Sequence, residues 1–246
     1  MQLTGLHLLL TYQCNYECDH CFVWGGPRQA GTMTLRDVRH ILSEGMDVGT
    51  VTGEPFLYYG AMLAGIREAA AAGLKVGIVT NAYWATSEED ALEWLRPMAG
   101  LVGDLTVSSD LYHADEMLSR QAQAATAAAR QLGIPASVLS VACPEALDVA
   151  RVTGQLPPGE SGVMYRGRAA SVLAPRVPGQ PWQQFRSCPH EDLREAGRVH
   201  VDPLGNLHIC HGLVLGNLYN RPLRDICREY DPETHPIAGP LLRSGP

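Results

Sequence analysis

The sequence predicts an α/β fold in which parallel strands alternate with helices. Three observations predict it. Short apolar runs alternate with helical patterns across the first two-thirds of the chain. Six strand–helix units follow one another, which implies parallel strands joined by crossover helices. The polar and sulfur-bearing residues that stand out fall just after strands, where ligands sit in such folds. Right-handed crossovers would wind the units into a sheet or partial barrel.

Each element has its own signal. Residues 6–11 read as a buried strand, and 34–45 as a helix with Thr34 as N-cap. Residues 48–52 read as a strand and 62–72 as an Ala-rich helix ended by Gly73. Strand 75–80 precedes helix 88–98, which Ser87 caps. Strand 105–109 precedes a long Ala/Gln helix over 116–132, again ended by a glycine. Residues 136–142 read as a fifth strand, 147–153 as a short helix and 162–165 as a sixth strand. Pro and Gly then crowd residues 154–181, which read as a linker. Beyond it, 187–230 carries Cys and His with a hairpin around Pro203-Leu204-Gly205-Asn206, and 231–246 is a Pro-rich tail expected to wrap the surface. The division expected is 1–170 for the strand–helix units and 171–246 for a linker and a small Cys-containing α+β extension.

The 246 residues suffice for a sizeable core, and 46% apolar with 18% charged residues is ordinary for a soluble fold. A net charge of −7 and the lack of a Lys/Arg run argue against nucleic acid as partner. The first residues lack a basic n-region and are too short to span a membrane. A cytoplasmic location is expected, so the seven cysteines point to metal, catalysis or packing before disulfides.

Three of those cysteines, Cys14, Cys18 and Cys21, lie in one loop after the first strand. Structural zinc sites draw four ligands, usually from two separated pairs, so zinc would need His20 or a distant residue. Buried inert thiols are a second alternative, but Asn15, Glu17 and Asp19 suit an exposed loop better. Three thiolates from one loop can hold three irons of a four-iron cluster and leave one iron open.

Cys14-x3-Cys18-x2-Cys21 resembles the signature of the radical S-adenosylmethionine enzymes, and the resemblance extends over about residues 5–170. It implies a partial (β/α)6 TIM-like barrel, a [4Fe-4S] cluster, and S-adenosylmethionine chelated to the open iron. It also implies the reaction: one electron from the cluster cleaves the sulfonium, and the resulting 5′-deoxyadenosyl radical takes a hydrogen atom from the substrate. Gly53-Glu54-Pro55 resembles the Gly-Gly-Glu-Pro motif that holds the methionine amino group, with Thr52 in place of the first glycine. Asn81 resembles the Thr-Asn-Gly stretch lining the cofactor. Ser108 and Asp110 sit where the family contacts ribose or carboxylate; turn formation is their alternative role. His20 occupies the slot of an aromatic residue beside the adenine. An electron donor of flavodoxin or ferredoxin type is implied as partner.

The C-terminal segment resembles the SPASM/Twitch extension over about residues 166–230. Cys188, the Gly205-to-Cys210 hairpin and Gly216-Asn217-Leu218 carry that resemblance, and Arg166-Gly167-Arg168-Ala169 resembles the joining stretch. The cysteines are too few for two auxiliary clusters. Cys188 and Cys210 would be ligands of a single one; a zinc site, with His190, His200, His208 or His211 contributing, and a metal-free remnant are the alternatives. Cys227 reads as core. Cys143, after the fifth strand, reads as a small buried residue or as a thiol facing the site. Tyr112, His113, Tyr165 and Arg166 are candidates for the substrate side.

Two substrate classes fit such an enzyme. One is a small metabolite, favoured by compactness. The other is a ribosomally made peptide, whose leader would need a separate binding partner because only thirteen residues precede Cys14. A non-enzymatic iron–sulfur or zinc protein is the remaining class, and Glu54 and Asn81 argue against it, since an electron carrier needs no cofactor pocket.

Overall fold

The computed structural model describes residues 3–44, 48–116, 118–143, 160–179, 181–184 and 192–245. Their strands form one nine-stranded sheet in the order β6-β5-β4-β3-β2-β1-β7-β8-β9. The first six are β1 (Gly5–Leu9), β2 (Val48–Thr52), β3 (Lys75–Thr80), β4 (Val102–Ser108), β5 (Ala136–Val141) and β6 (Glu160–Ser161). Each pairs parallel with the next, the succession of a partial (β/α)6 barrel. Helices α1 (Leu35–Leu42), α2 (Tyr59–Ala71), α3 (Glu88–Leu95) and α4 (Arg120–Gln131) join the first five strands.

Local chemistry sets the helix starts. Thr34 and Asp37 form a reciprocal capping box on α1. Ser87 accepts from Asp90 N–H at the head of α3. The second helix starts earlier than its Ala-rich pattern suggests, because Pro55 opens a 3-10 turn, Pro55–Tyr58, that runs straight into it. The fourth starts later, at Arg120, because Ser119 caps it by accepting from Ala122 N–H. The sixth strand also departs from expectation: it is Glu160–Ser161, not 162–165. Its ladder with β5 is two pairs long, Ser140↔Glu160 and Val141↔Ser161, and stops where β5 stops at Val141. The helix expected over 147–153 lies outside the described residues.

The C-terminal strands extend the same sheet. β7 (Arg198–Val201) pairs parallel with β1 on the side away from β2, matching His7 with His200. β8 (Asn206–Cys210) and β9 (Leu213–Asn217) follow antiparallel, and the β7–β8 connection is the hairpin expected around Gly205. Short helices α5 (Arg168–Val172), α6 (Leu223–Glu229) and α7 (Ala238–Ser244) complete the order.

The main core lies between the sheet and the helices. Leu6 and Leu8 of β1, Ile78 of β3 and Leu105 and Val107 of β4 pack there with Val199, Val201 and Leu207 of the extension. Strand alternation therefore turns His7 and His200 to the opposite face. Cys227 is buried in this core, as its helical setting suggests, and α7 packs onto a second cluster through Ala238 beside Ile209 and Cys210. Among the described residues, no helix is long and apolar enough to cross a membrane.

Ile78 is 0% exposed on the strand that carries Asn81 at its end. Ile78→Ala is expected to cost about 2–5 kcal/mol in urea unfolding, since the cavity it leaves cannot fully collapse; Leu57→Ala, at an exposed position, is expected to cost under about 0.5 kcal/mol.

Candidate active site

The cysteine loop leaves the carboxyl end of β1 and folds back on itself. Gly26 N–H donates to Tyr12 O at 3.1 Å, Cys14 N–H to Gly26 O at 3.2 Å and Cys21 N–H to Cys18 O at 3.1 Å. Trp24 takes a left-handed φ of 62° to close it. Donors point at the sulfurs: Gly25 N–H at Cys21 Sγ (3.1 Å), Tyr16 N–H at Cys14 Sγ (3.4 Å) and Asn81 Nδ2 at Cys14 Sγ (3.5 Å).

One residue from the far end of the barrel pins this loop. Arg168 is 6% exposed. Its Nη1 donates to Cys18 O at 2.7 Å, its Nη2 to Gly25 O, and its backbone N–H to Cys21 O at 2.9 Å. Gly167 must precede it as glycine: its φ is +56°, and a Cβ there would lie 2.5 Å from Phe22 O. A second tether is Asp202, after β7. It accepts from the Tyr12 hydroxyl at 3.1 Å, from Leu204 N–H, from Asn206 N–H and Nδ2 and from His208 Nε2. Burial works against its ionisation, but these donors prevail and hold its carboxyl at about 2.

At the end of β2, Gly53 has a φ of +85°, and a Cβ there would meet Thr11 O at 2.3 Å. Only glycine lets the β1 and β2 ends approach this closely. Glu54 follows and is 0% exposed. It accepts from Thr80 Oγ1 (2.9 Å), Asn81 N–H (2.8 Å) and Phe56 N–H (3.3 Å), so it joins the ends of β2 and β3. Burial pushes its carboxyl up to about 7 despite those donors. Asn81, thus fixed, donates to Asn15 Oδ1 at 2.9 Å inside the cysteine loop.

The end of β4 supplies the third wall. Asp110 is buried and accepts from Tyr112 N–H, His113 Nδ1 and Val141 N–H at 2.9, 2.8 and 3.1 Å. Burial opposes its charge, yet His113 and these bonds keep its pKa below the ordinary range. His20 of the cysteine loop stacks on Tyr112 with ring centroids 4.5 Å apart. Burial lowers the His20 pKa to about 4, so its ring is neutral. Ser108 ends β4, half-buried.

The loop's chemistry fits an iron–sulfur cluster. Burial above all, with neighbouring acidic groups and thiols adding to it, raises Cys14 to about 11 and Cys18 to about 12. Three thiolates crowded in one half-buried loop need a compensating cation, which bound iron would supply. The N–H groups aimed at Cys14 and Cys21 are the donors that thiolate sulfur accepts.

Most sequence-identified residues thus converge on the ends of β1–β4: Cys14, Cys18, Cys21, His20, Gly53, Glu54, Pro55, Asn81, Ser108 and Asp110. Cys210 does not join them; it is buried at the end of β8 in the second core. Cys188 and His190 lie outside the described residues. Cys143 is half-buried just past β5, and Tyr165 is exposed. Beside the loop is a cavity of about 250 Å³, walled by Tyr12, Phe22, Trp24, Arg166, His200 and His211 among others. Sequence reasoning passed over Arg168, Tyr12 and Asp202. The only local sign of Arg168 was its place in the Arg-Gly-Arg stretch.

Two predictions follow from these contacts. Arg168→Lys is expected to release iron to a chelator about tenfold faster than wild type after anaerobic reconstitution, because an ammonium cannot reach both carbonyls. Glu54 has a folded pKa above its unfolded one, so its contribution to stability is full below about pH 4.5 and lost as pH rises through about 7, ~3 kcal/mol at about 1.4 kcal/mol per pH unit. The stability of apo Glu54→Gln relative to apo wild type is therefore expected to rise by about that amount from about pH 4.5 to about pH 8 in urea unfolding.

No family model matches the chain. The "Putative peptide biosynthesis protein YydG" of Bacillus subtilis (strain 168) is 28% identical over 112 residues, 43% of this chain. The match spans 35% of that protein's length. Among solved structures, Streptococcus suis SuiB bound to S-adenosylmethionine superposes with a TM-score of 0.61 at 14% identity, over 98% of this chain and 68% of that one. Native anSMEcpe with bound AdoMet and Cp18Cys peptide gives 0.54 at 14% identity, over 94% and 81%. At these identities the likeness to the solved structures is one of fold. In its cysteine spacing and in the fold that presents it, the chain resembles the radical S-adenosylmethionine enzymes.

Proposed function

We propose that this chain is a radical S-adenosylmethionine enzyme whose substrate is a peptide. The observation that carries the reading is the loop itself: three thiols held by Arg168, with N–H donors on two of the sulfurs, at the strand ends of a partial barrel. Cys14, Cys18 and Cys21 would hold three irons of a [4Fe-4S] cluster and leave the fourth for S-adenosylmethionine. Bound there, the pair would supply a 5′-deoxyadenosyl radical able to take a hydrogen atom from a substrate.

The chain's own residues do the rest. Gly53-Glu54-Pro55 shapes the edge that takes the methionine part, with Glu54 fixing Asn81 beside the cluster loop. His20, stacked on Tyr112, would offer a flat neutral face for the adenine, and Ser108 and Asp110 would border the ribose. The cavity beside Phe22 and Trp24 is sized for one side chain. Residues 1–170 form the catalytic barrel in this reading and 171–246 a linker and SPASM/Twitch-like extension. Cys188 and Cys210 would be the ligands of an auxiliary cluster, and a flavodoxin or ferredoxin type protein would deliver the electron.

The peptide assignment is supported by the printed description of the Bacillus subtilis relative and by the peptide bound in one structure of like fold. It reverses the ranking that compactness suggested.

The test is anaerobic reconstitution with iron and sulfide, reduction, and assay for 5′-deoxyadenosine. Wild type is expected to release it, and Cys14→Ala, Cys18→Ala and Cys21→Ala are each expected to lower the yield at least about 100-fold. A wild type that holds an intact cluster and releases none rejects the enzyme. Release of 5′-deoxyadenosine is expected to be stimulated by a short unmodified peptide, which changes mass in the same mixture; stimulation by a small alcohol or amino sugar instead would return the reading to metabolites.

A further inference from the structure

On the face of the sheet opposite the main core, β1, β7 and β8 carry a row of imidazoles. His7 and His200 face each other in the parallel register of β1 and β7, and His208 lies opposite His200 in the antiparallel register of β7 and β8. His211, the first residue past β8, turns back over the row: its ring centroid is 3.9 Å from that of His200 and 5.9 Å from that of His7. His7 Nδ1 is 2.7 Å from His200 Nδ1.

The His7–His200 hydrogen bond accounts for only part of this cluster. His7 Nε2 and His211 Nε2 are buried and have no hydrogen-bond partner among the described residues. Each such orphan costs about 1–3 kcal/mol unless something occupies it, and a bound ion is one of the few things that does. One ring nitrogen from each of His7, His200 and His211 lies within 4.8 Å of one from each of the others. Tetrahedral Zn–N bonds of about 2.0–2.1 Å place ligand nitrogens about 3.3 Å apart. That separation lies within the 4.8 Å that spans one ring nitrogen from each of the three residues here.

We infer that His7, His200 and His211 form a three-imidazole site for a divalent transition ion of the zinc type, separate from the cysteine loop. Imidazole nitrogen suits zinc and its neighbours, and three ligands leave one position open. His200 and His211 both wall the 250 Å³ cavity, so the open position faces it. His208 stands next in the row and has its own partner, with Nε2 at 3.2 Å from Asp202 Oδ2. The Asp202–His208 pair thereby borders the site and brings its carboxylate to a region that otherwise presents Arg166. Phe22 packs its ring edge-on to His211 at 4.8 Å, which restrains that ligand. The three imidazoles do not need the cysteine loop to bind iron, although they border the same cavity.

The test titrates the full chain, its cysteine loop filled by anaerobic reconstitution, with Zn2+ against a competing chelator. One Zn2+ per chain beyond the iron is expected, and zinc-edge X-ray absorption is expected to show nitrogen and oxygen neighbours without sulfur. His7→Gln and His211→Ala are each expected to weaken binding at least about 100-fold and to abolish the rise in Tm that Zn2+ gives wild type. His211 lies past the strand end, so its variant folds even if His7→Gln does not. His113→Ala, in the separate His20/Asp110/His113 group, is expected to leave the zinc in place. No zinc beyond the iron, a sulfur neighbour, or binding that survives His211→Ala overturns the inference.

Discussion

A buried guanidinium holds the site together. Arg168 brings a charge into a setting where it is 6% exposed, and the partners that compensate it most closely are carbonyls of the cysteine loop. Glu17 lies 3.9 Å away and is half exposed. A desolvated charge needs several good hydrogen bonds, so the loop's carbonyl directions and the arginine's position specify each other. The contact also spans 150 residues of sequence between Cys18 and Arg168. It fastens the start of the strand series to its end, where the β5–β6 ladder is only two residue pairs long.

The other walls follow the same logic. Glu54 is a buried carboxylate satisfied by one hydroxyl and two backbone N–H groups, and its effect is to fix the end of β3 relative to that of β2. Asp110 performs the same service between the β4 end and β5 through Val141 N–H. Each acidic group seen in the sequence as a cofactor contact also acts between strand ends. The strand ends are thereby tied in pairs, β2 to β3 and β4 to β5.

Elements with strong local signals were legible in the sequence. β2 and β3 have the bounds their apolar runs suggest, and Thr34 and Ser87 cap the helices they precede. The cysteine spacing, Glu54 and Asn81 were legible because their types carry chemistry at a strand end. Features set by pairing between distant segments were not. β7 sits beside β1, a placement that local pattern cannot show, and only that register joins His7 to His200. Arg168 looked like part of a connector because its role lies in carbonyls far away in sequence. The sixth strand was misplaced because its limit comes from where its neighbour ends, not from its own apolar run.

The central claim is a cluster with one iron open to S-adenosylmethionine. Electron paramagnetic resonance of the reduced, reconstituted chain tests it most directly, because coordination by the cofactor's amino and carboxylate groups alters the electronic structure of that iron. The account predicts a signal of a reduced four-iron cluster whose g-values shift when S-adenosylmethionine is added. A four-iron signal that the cofactor leaves unchanged would contradict it.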